Sequence, residues 1–237
     1  MESEGKRSSK LVKLVKTVVR SNKIIYLEDG SRWLLVASGE LRSNVKLLVR
    51  IAAVLCGVLL MALSARTSIV TPFTEVPFTF QTLVLTMIIL LLGKDAWKTV
   101  STYLILGFAG LPMFAYGGGL QYVASPTTGY LIGFLVASLL GRLVGKGKNL
   151  FKWMLISITA MAVVYIFGWL WLSIYYAVIT GFNNVFNSMY VAFLRGVIPF
   201  VVWDLMKALI ASLLSYELYR FGGKLKALKS LLSSFSR

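Results

Sequence analysis

The sequence predicts an all-α, polytopic membrane protein with six transmembrane helices and both termini on the cytoplasmic side. Three observations carry that expectation. Hydrophobic residues make up 57% of the 237, above the about 45–50% usual in soluble domains. Several apolar runs reach or approach the roughly 20 residues that a spanning helix needs. The basic residues, 25 Lys and Arg against 9 Asp and Glu, fall in alternate connecting segments, as the positive-inside rule requires of a multi-pass chain.

Taken in order, residues 1–46 are a basic cytoplasmic extension. Leu11, Leu14, Val15 and Val18 form a helical stripe among Lys10, Lys13, Lys16 and Arg20, a pattern that suits an anionic inner leaflet. Ile24–Leu27 and Trp33–Val36 flank Glu28-Asp29-Gly30-Ser31, the spacing of a short hairpin around Asp-Gly. This stretch is too charged for a signal-peptide core, so the first span is expected to direct insertion itself. The membrane domain is expected over 47–222, with spans near 47–70, 79–93, 96–111, 129–145, 151–178 and 196–220. The fifth is too long for one straight crossing, so a tilt, or a break at Gly168, is expected. A basic cytoplasmic tail, 223–237, follows. With the N-terminus inside, the inner segments hold eleven Lys/Arg through Arg50, then Lys94 and Lys98, then Arg142, Lys146, Lys148 and Lys152, then Arg220 to Arg237. The outer loops at 71–78 and 112–128 hold none, and only Arg66 and Arg195 lie near the outer face. This distribution accounts for most of the +16 net charge without any nucleic acid.

The last span carries the unusual chemistry. Asp204 and Lys207 lie three residues apart, on one helix face. Asp204 sits about 12 Å below Gly196 at the helical rise, well inside the membrane. A charge at that depth is costly unless paired or lining a polar cavity, so the pair is a candidate ligand or ion site. A structural ion pair holding helices together is the other interpretation. Two loops on the same face strengthen the first. Thr71–Gln81 has two prolines and three threonines, and Gly107–Gly133 places Gly117, Gly118 and Gly119 between Tyr116 and Gln121-Tyr122. Glycines allow the backbone to approach a ligand closely.

Absences narrow the chemistry. There is no histidine and one cysteine, Cys56, which removes His-based metal sites, Ser-His-Asp and Cys-His catalysis and any internal disulfide. Cys56, inside an apolar run, is expected to be a small packing residue. Gly141 to Lys148 does not meet the phosphate-loop spacing. No enzyme activity, metal or cofactor is expected.

Four motifs in order, Pro77–Leu83 (P-F-T-F-Q-T-L), Gly110–Gly119 (G-L-P-M-F-A-Y-G-G-G), Pro126–Phe134 (P-T-T-G-Y-L-I-G-F) and Asp204–Lys207 (D-L-M-K), resemble the BioY family. These are the biotin-binding S-components of energy-coupling factor (ECF) transporters. The resemblance spans about 47–222. It departs from the family pattern at Thr128, where a second glycine is common, and in the long extension before residue 47.

The resemblance implies a six-helix receptor in a prokaryotic cytoplasmic membrane that captures biotin from outside. It implies two kinds of partner, a transmembrane coupling protein (EcfT-like) and two ABC-type ATPases, whose ATP hydrolysis topples the receptor and releases the vitamin inward. The first helix would dock the coupling protein through small residues, here Ala53 and Gly57, or Ala62. For the ligand, Asp204 would accept from the ureido N–H groups, and Lys207 would meet the ureido oxygen or the carboxylate. Gln81, Gln121 and the backbone of Gly117, Gly118 and Gly119 would add hydrogen bonds, and Trp203, Phe78, Tyr116, Tyr122 and Tyr130 would wall the ring. Two other readings stand beside this one: an S-component for another vitamin, and a stand-alone secondary transporter with Asp204 and Lys207 as a proton relay.

Overall fold

The computed structural model describes residues 32–145 and 149–235, with side chains described for residue 45 and for 47–145 and 149–221. The chain divides into two compact units, 1–51 and 52–237. The elements are α1 (Arg32–Arg66), β1 (Ile69–Thr71), β2 (Thr74–Phe78), α2 (Gln81–Leu92), α3 (Ala96–Phe108), α4 (Thr128–Ser138), α5 (Leu150–Ile179), α6 (Val185–Gly196) and α7 (Ile198–Phe235). Six of these helices fall on the six predicted spans. Three stretches, Leu47–Arg66, Leu150–Ile179 and Ile198–Phe221, are long and apolar enough to cross a membrane on their own. By contrast α2 has 12 residues, about 18 Å at the helical rise. Short 3₁₀ turns at Gly93–Asp95 and Leu139–Leu143 extend α2 and α4.

Several expectations are corrected. Trp33–Val36 lies in α1, not in a hairpin; the other arm of that hairpin and the stripe at 11–20 lie outside the described residues. The α5 helix runs unbroken through Gly168. Its glycine makes room for a neighbour instead: a Cβ there would enter the Tyr130 ring. Gly129 and Gly133 do the same on α4, facing Trp171 and Val164. Reciprocal small residues let α4 and α5 pack closely, the way helices associate where no water drives them together. Cys56 is exposed on α1 rather than packed. The amphipathic α6 was not anticipated, because 12 residues ending in Arg195 and Gly196 give no span-length apolar run.

The proline- and threonine-rich segment Thr71–Gln81 lies largely in a two-stranded antiparallel hairpin, Ile69 opposite Phe78 and Thr71 opposite Thr74, turning at Pro72-Phe73. Pro77 is tolerated in β2 because only one of its edges is paired. The long α7 packs on α2 and α5. The hydroxyl of Tyr130 donates to the Gly196 carbonyl at 2.7 Å, pinning the junction of α6 and α7. That junction sets where α7 starts and so places Asp204 about two turns below it.

Candidate functional site

On α7, Asp204 is 4% exposed, and every donor around it comes from a different place in the chain. Its Oδ1 accepts from the Thr82 hydroxyl of α2 at 2.8 Å and from Lys207 Nζ at 2.9 Å. Its Oδ2 accepts from the Tyr165 hydroxyl of α5 at 2.6 Å. Lys207 Nζ also donates to the Thr79 carbonyl at 2.8 Å, just beyond β2. A buried carboxylate is stable only when paired and hydrogen-bonded, and the three donors Thr82, Lys207 and Tyr165 supply that.

The pair opens into a cavity. Its walls are Val76, Pro77 and Thr79 from the hairpin strand and the residues after it; Gln81 and Thr82 from α2; and Phe114 and Ala115 from the loop after α3. Tyr122, Thr127, Tyr130, Leu131 and Phe134 come from the start of α4 and the residues before it. Val164 and Tyr165 belong to α5, and Phe200, Asp204 and Lys207 to α7. The wall is largely apolar and aromatic with a few convergent polar groups, the make-up expected of a small-molecule site. Among the described residues, no group of three or more metal-ligating side chains occurs.

The structure therefore brings Gln81, Tyr122, Tyr130, Asp204 and Lys207 to one cavity. Other predicted site residues lie off it. Trp203 is 56% exposed: one residue before Asp204, it is turned about 100° around the helix. Tyr116 is exposed and donates to the Glu75 carbonyl at 3.4 Å. Partial burial raises its phenol above its ordinary value, with Tyr122 and Glu75 adding to the effect. Gly117, Gly118 and Gly119 serve their own turn. Phe114 and Gly117 exchange backbone bonds of 2.7 and 3.1 Å. Gly117 and Gly119 have φ of +118° and +101°, backbone that favours glycine, and a Cβ on Gly118 would strike the Leu111 carbonyl. Gln121 folds back to donate to the Gly118 carbonyl at 2.7 Å. Phe78 stacks on the wall residue Phe200, ring centroids 4.3 Å apart. On α1, Gly57 is buried, and a Cβ there would lie 2.7 Å from Thr99 Cγ2. Ala62 packs against the core and Ala53 is half-buried. The smallness of Gly57 is thus used inside this chain, against α3, rather than kept free for a partner.

Thr82, Tyr165, Phe114 and Phe200 were not anticipated. Thr82 and Phe114 stand inside two of the quoted motifs without a residue type that marks a role, Phe200 sits in an apolar run, and Tyr165 meets Asp204 only through the α5–α7 packing. A second ion pair was also missed. Glu75, on β2 next to the wall residue Val76, accepts from Arg195 Nη1 of α6 at 2.9 Å and from the Tyr176 hydroxyl of α5. Arg66 donates to the Pro112 carbonyl at 2.9 Å. The two basic residues assigned near the outer face each hold one of the two loops on that side.

Residues 38–224 match the family model described as BioY family. A protein named "Probable biotin transporter BioY" from Pyrococcus horikoshii is 36% identical over 145 residues, 60% of this chain and 80% of that protein. The biotin transporter BioY of Thermotoga maritima is 33% identical over 150 residues, 62% and 83% of the two chains. The crystal structure of the S-component for biotin from an ECF-type ABC transporter superposes with a TM-score of 0.63 at 21% identity, covering 75% of this chain and 94% of that one. At that identity the superposition speaks for the fold.

Proposed function

This chain belongs to the BioY family, and from that premise we propose that it is the substrate-binding membrane subunit of an ECF-type transporter that captures biotin. One observation carries the reading: what the Asp204–Lys207 pair still has to offer after its internal bonds are counted. A carboxylate has about four acceptor positions, and three are taken, by Thr82, Lys207 and Tyr165. An ammonium has three N–H donors, and two are taken, by Asp204 and Thr79. One acceptor position, on Oδ2, and one Lys207 N–H remain, on two residues that both line the cavity. That is the complement of an N–H next to a C=O, the edge of a cyclic urea. Asp204 accepts from a ureido N–H, Lys207 donates to the ureido oxygen, and Gln81 contributes a further bond. Phe114, Tyr122, Tyr130 and Phe200 enclose the thioether ring. The names of the relatives above support the choice of biotin among ligands with such an edge.

The hairpin end faces outward and both termini face the cytoplasm, a placement supported by the absence of basic residues from the 71–78 and 112–128 loops. Inward delivery requires an EcfT-like coupling protein and two ABC-type ATPases in the cytoplasmic membrane. Catalysis of ATP hydrolysis belongs to those partners.

Calorimetric titration of biotin into the detergent-purified chain, without ATP or partners, tests the reading. Tight binding at a 1:1 ratio is expected. Well-folded protein that takes up no biotin overturns it.

A further inference from the structure

We infer that Tyr103 is a positioning residue for the ligand, acting through Gln81, whose side-chain amide it holds in one of its two orientations. The inference rests on the cavity being the biotin site. Tyr103, on α3, is fully buried and forms no part of the cavity wall. Its hydroxyl accepts from Gln81 Nε2 at 2.8 Å and donates to the Met113 carbonyl at 3.1 Å. A phenol has a single hydrogen. With that hydrogen committed to Met113, the oxygen can face Gln81 only as an acceptor, so it selects the amide nitrogen. On the other side, the Thr79 hydroxyl donates to Gln81 Oε1 at 3.3 Å. The two tethers agree on one orientation.

The side-chain donors follow one another along a path to Met113, while the Gln81 backbone N–H donates back to the Thr79 hydroxyl oxygen at 3.3 Å. Lys207 donates to the Thr79 carbonyl, Thr79 to Gln81, Gln81 to Tyr103, and Tyr103 to Met113. Gln81 Nε2 has a second N–H, which this orientation leaves for the cavity. Gln81 therefore meets the ligand as a donor, beside the remaining donor of Lys207, and both suit a carbonyl oxygen. Tyr103 also backs Phe114, the residue after Met113. Their rings meet edge-on with centroids 5.5 Å apart, and Phe114 is part of the wall. One buried side chain thus touches two wall residues from separate elements, Gln81 through its hydroxyl and Phe114 through its ring.

A thermodynamic cycle tests this, using calorimetry on purified wild type, Tyr103→Phe, Gln81→Ala and the double variant. The ligands are biotin and 2-iminobiotin, in which an imino nitrogen that carries hydrogen replaces the ureido oxygen. Tyr103→Phe is expected to weaken biotin roughly fivefold, the scale of one hydrogen bond, and to weaken 2-iminobiotin less, so that the preference between them shrinks. In the Gln81→Ala background the same change is expected to have no effect, because its route is gone. Equal losses in both backgrounds, or an unchanged ligand preference, overturn the positioning role while leaving the biotin site intact. Failure of the wild type to bind biotin overturns the site, and the positioning role with it. Should Tyr103→Phe not fold, Gln81→Glu makes the same claim testable. Replacing the amide donor by a carboxyl oxygen is expected to shift preference toward 2-iminobiotin, and an unshifted preference overturns the inference.

Discussion

Two acid–base pairs flank the cavity, and they are built differently. Asp204–Lys207 is sealed, with side chains 6% and 13% exposed, and both members are tied to α2, α5 or the strand-to-helix connection. Glu75–Arg195 lies at the hairpin end, 34% and 48% exposed, and ties β2 to α6. Burial decides what each is worth. Exposed pairs contribute about 0–1 kcal/mol and are screened by salt. A buried pair adds little net stability over an apolar substitute, yet removing one partner strands a charge at about 3–5 kcal/mol. The proposed recognition role gives the sealed pair a reason beyond stability, while the exposed pair ties β2 to α6 at the hairpin end.

The largest expected effect comes from breaking the sealed pair. Lys207→Met should leave Asp204 as an unpaired buried carboxylate and lower stability by about 3–5 kcal/mol, read as a fall in the unfolding midpoint in detergent without ligand. Next comes Tyr165→Phe, which removes the one donor on Asp204 Oδ2 among the described residues. Loss of a hydrogen bond to a charged group is worth about 1.5–3 kcal/mol, so biotin affinity should fall at least tenfold by calorimetry. Glu75→Gln should change affinity by less than about fivefold, the limit set by an exposed pair. That difference should shrink further as salt rises from dilute buffer to molar concentration. Trp203→Leu should leave affinity unchanged within error, because Trp203 faces away from the cavity; a loss as large as that of Tyr165→Phe would erase the distinction between cavity wall and outer helix face.

The spans and the sealed pair were legible because both leave strong marks on a sequence. Long apolar runs announce helices, and an acid and a base inside one of them announce a site. Gln81 and Tyr130 lie in motifs that resemble the family, Tyr122 is an aromatic beside the glycine run, and all three line the cavity. Trp203 was misplaced because closeness in sequence does not give closeness in space: one residue along a helix is a turn of about 100°. Gly117, Gly118 and Gly119 were assigned to ligand approach because glycine serves a tight turn and a close contact equally well, and only the backbone distinguishes them. Gly57 was ambiguous in the same way between a partner helix and α3. Tyr165 and Tyr103 had no signal of their own, and Thr82 stood unmarked inside the Pro77–Leu83 motif. Each matters through one hydrogen bond across helices, a relation between elements rather than a pattern within one.

The most direct measurement is a calorimetric titration of biotin into Asp204→Asn beside the wild type, with unfolding midpoints recorded without ligand. Asparagine keeps the shape and removes the charge that holds the Lys207 donor and, in the proposed function, accepts the ureido hydrogen. The account predicts a folded variant whose affinity falls by about 2 kcal/mol or more, roughly thirtyfold. A folded variant that binds biotin as tightly as the wild type would contradict it.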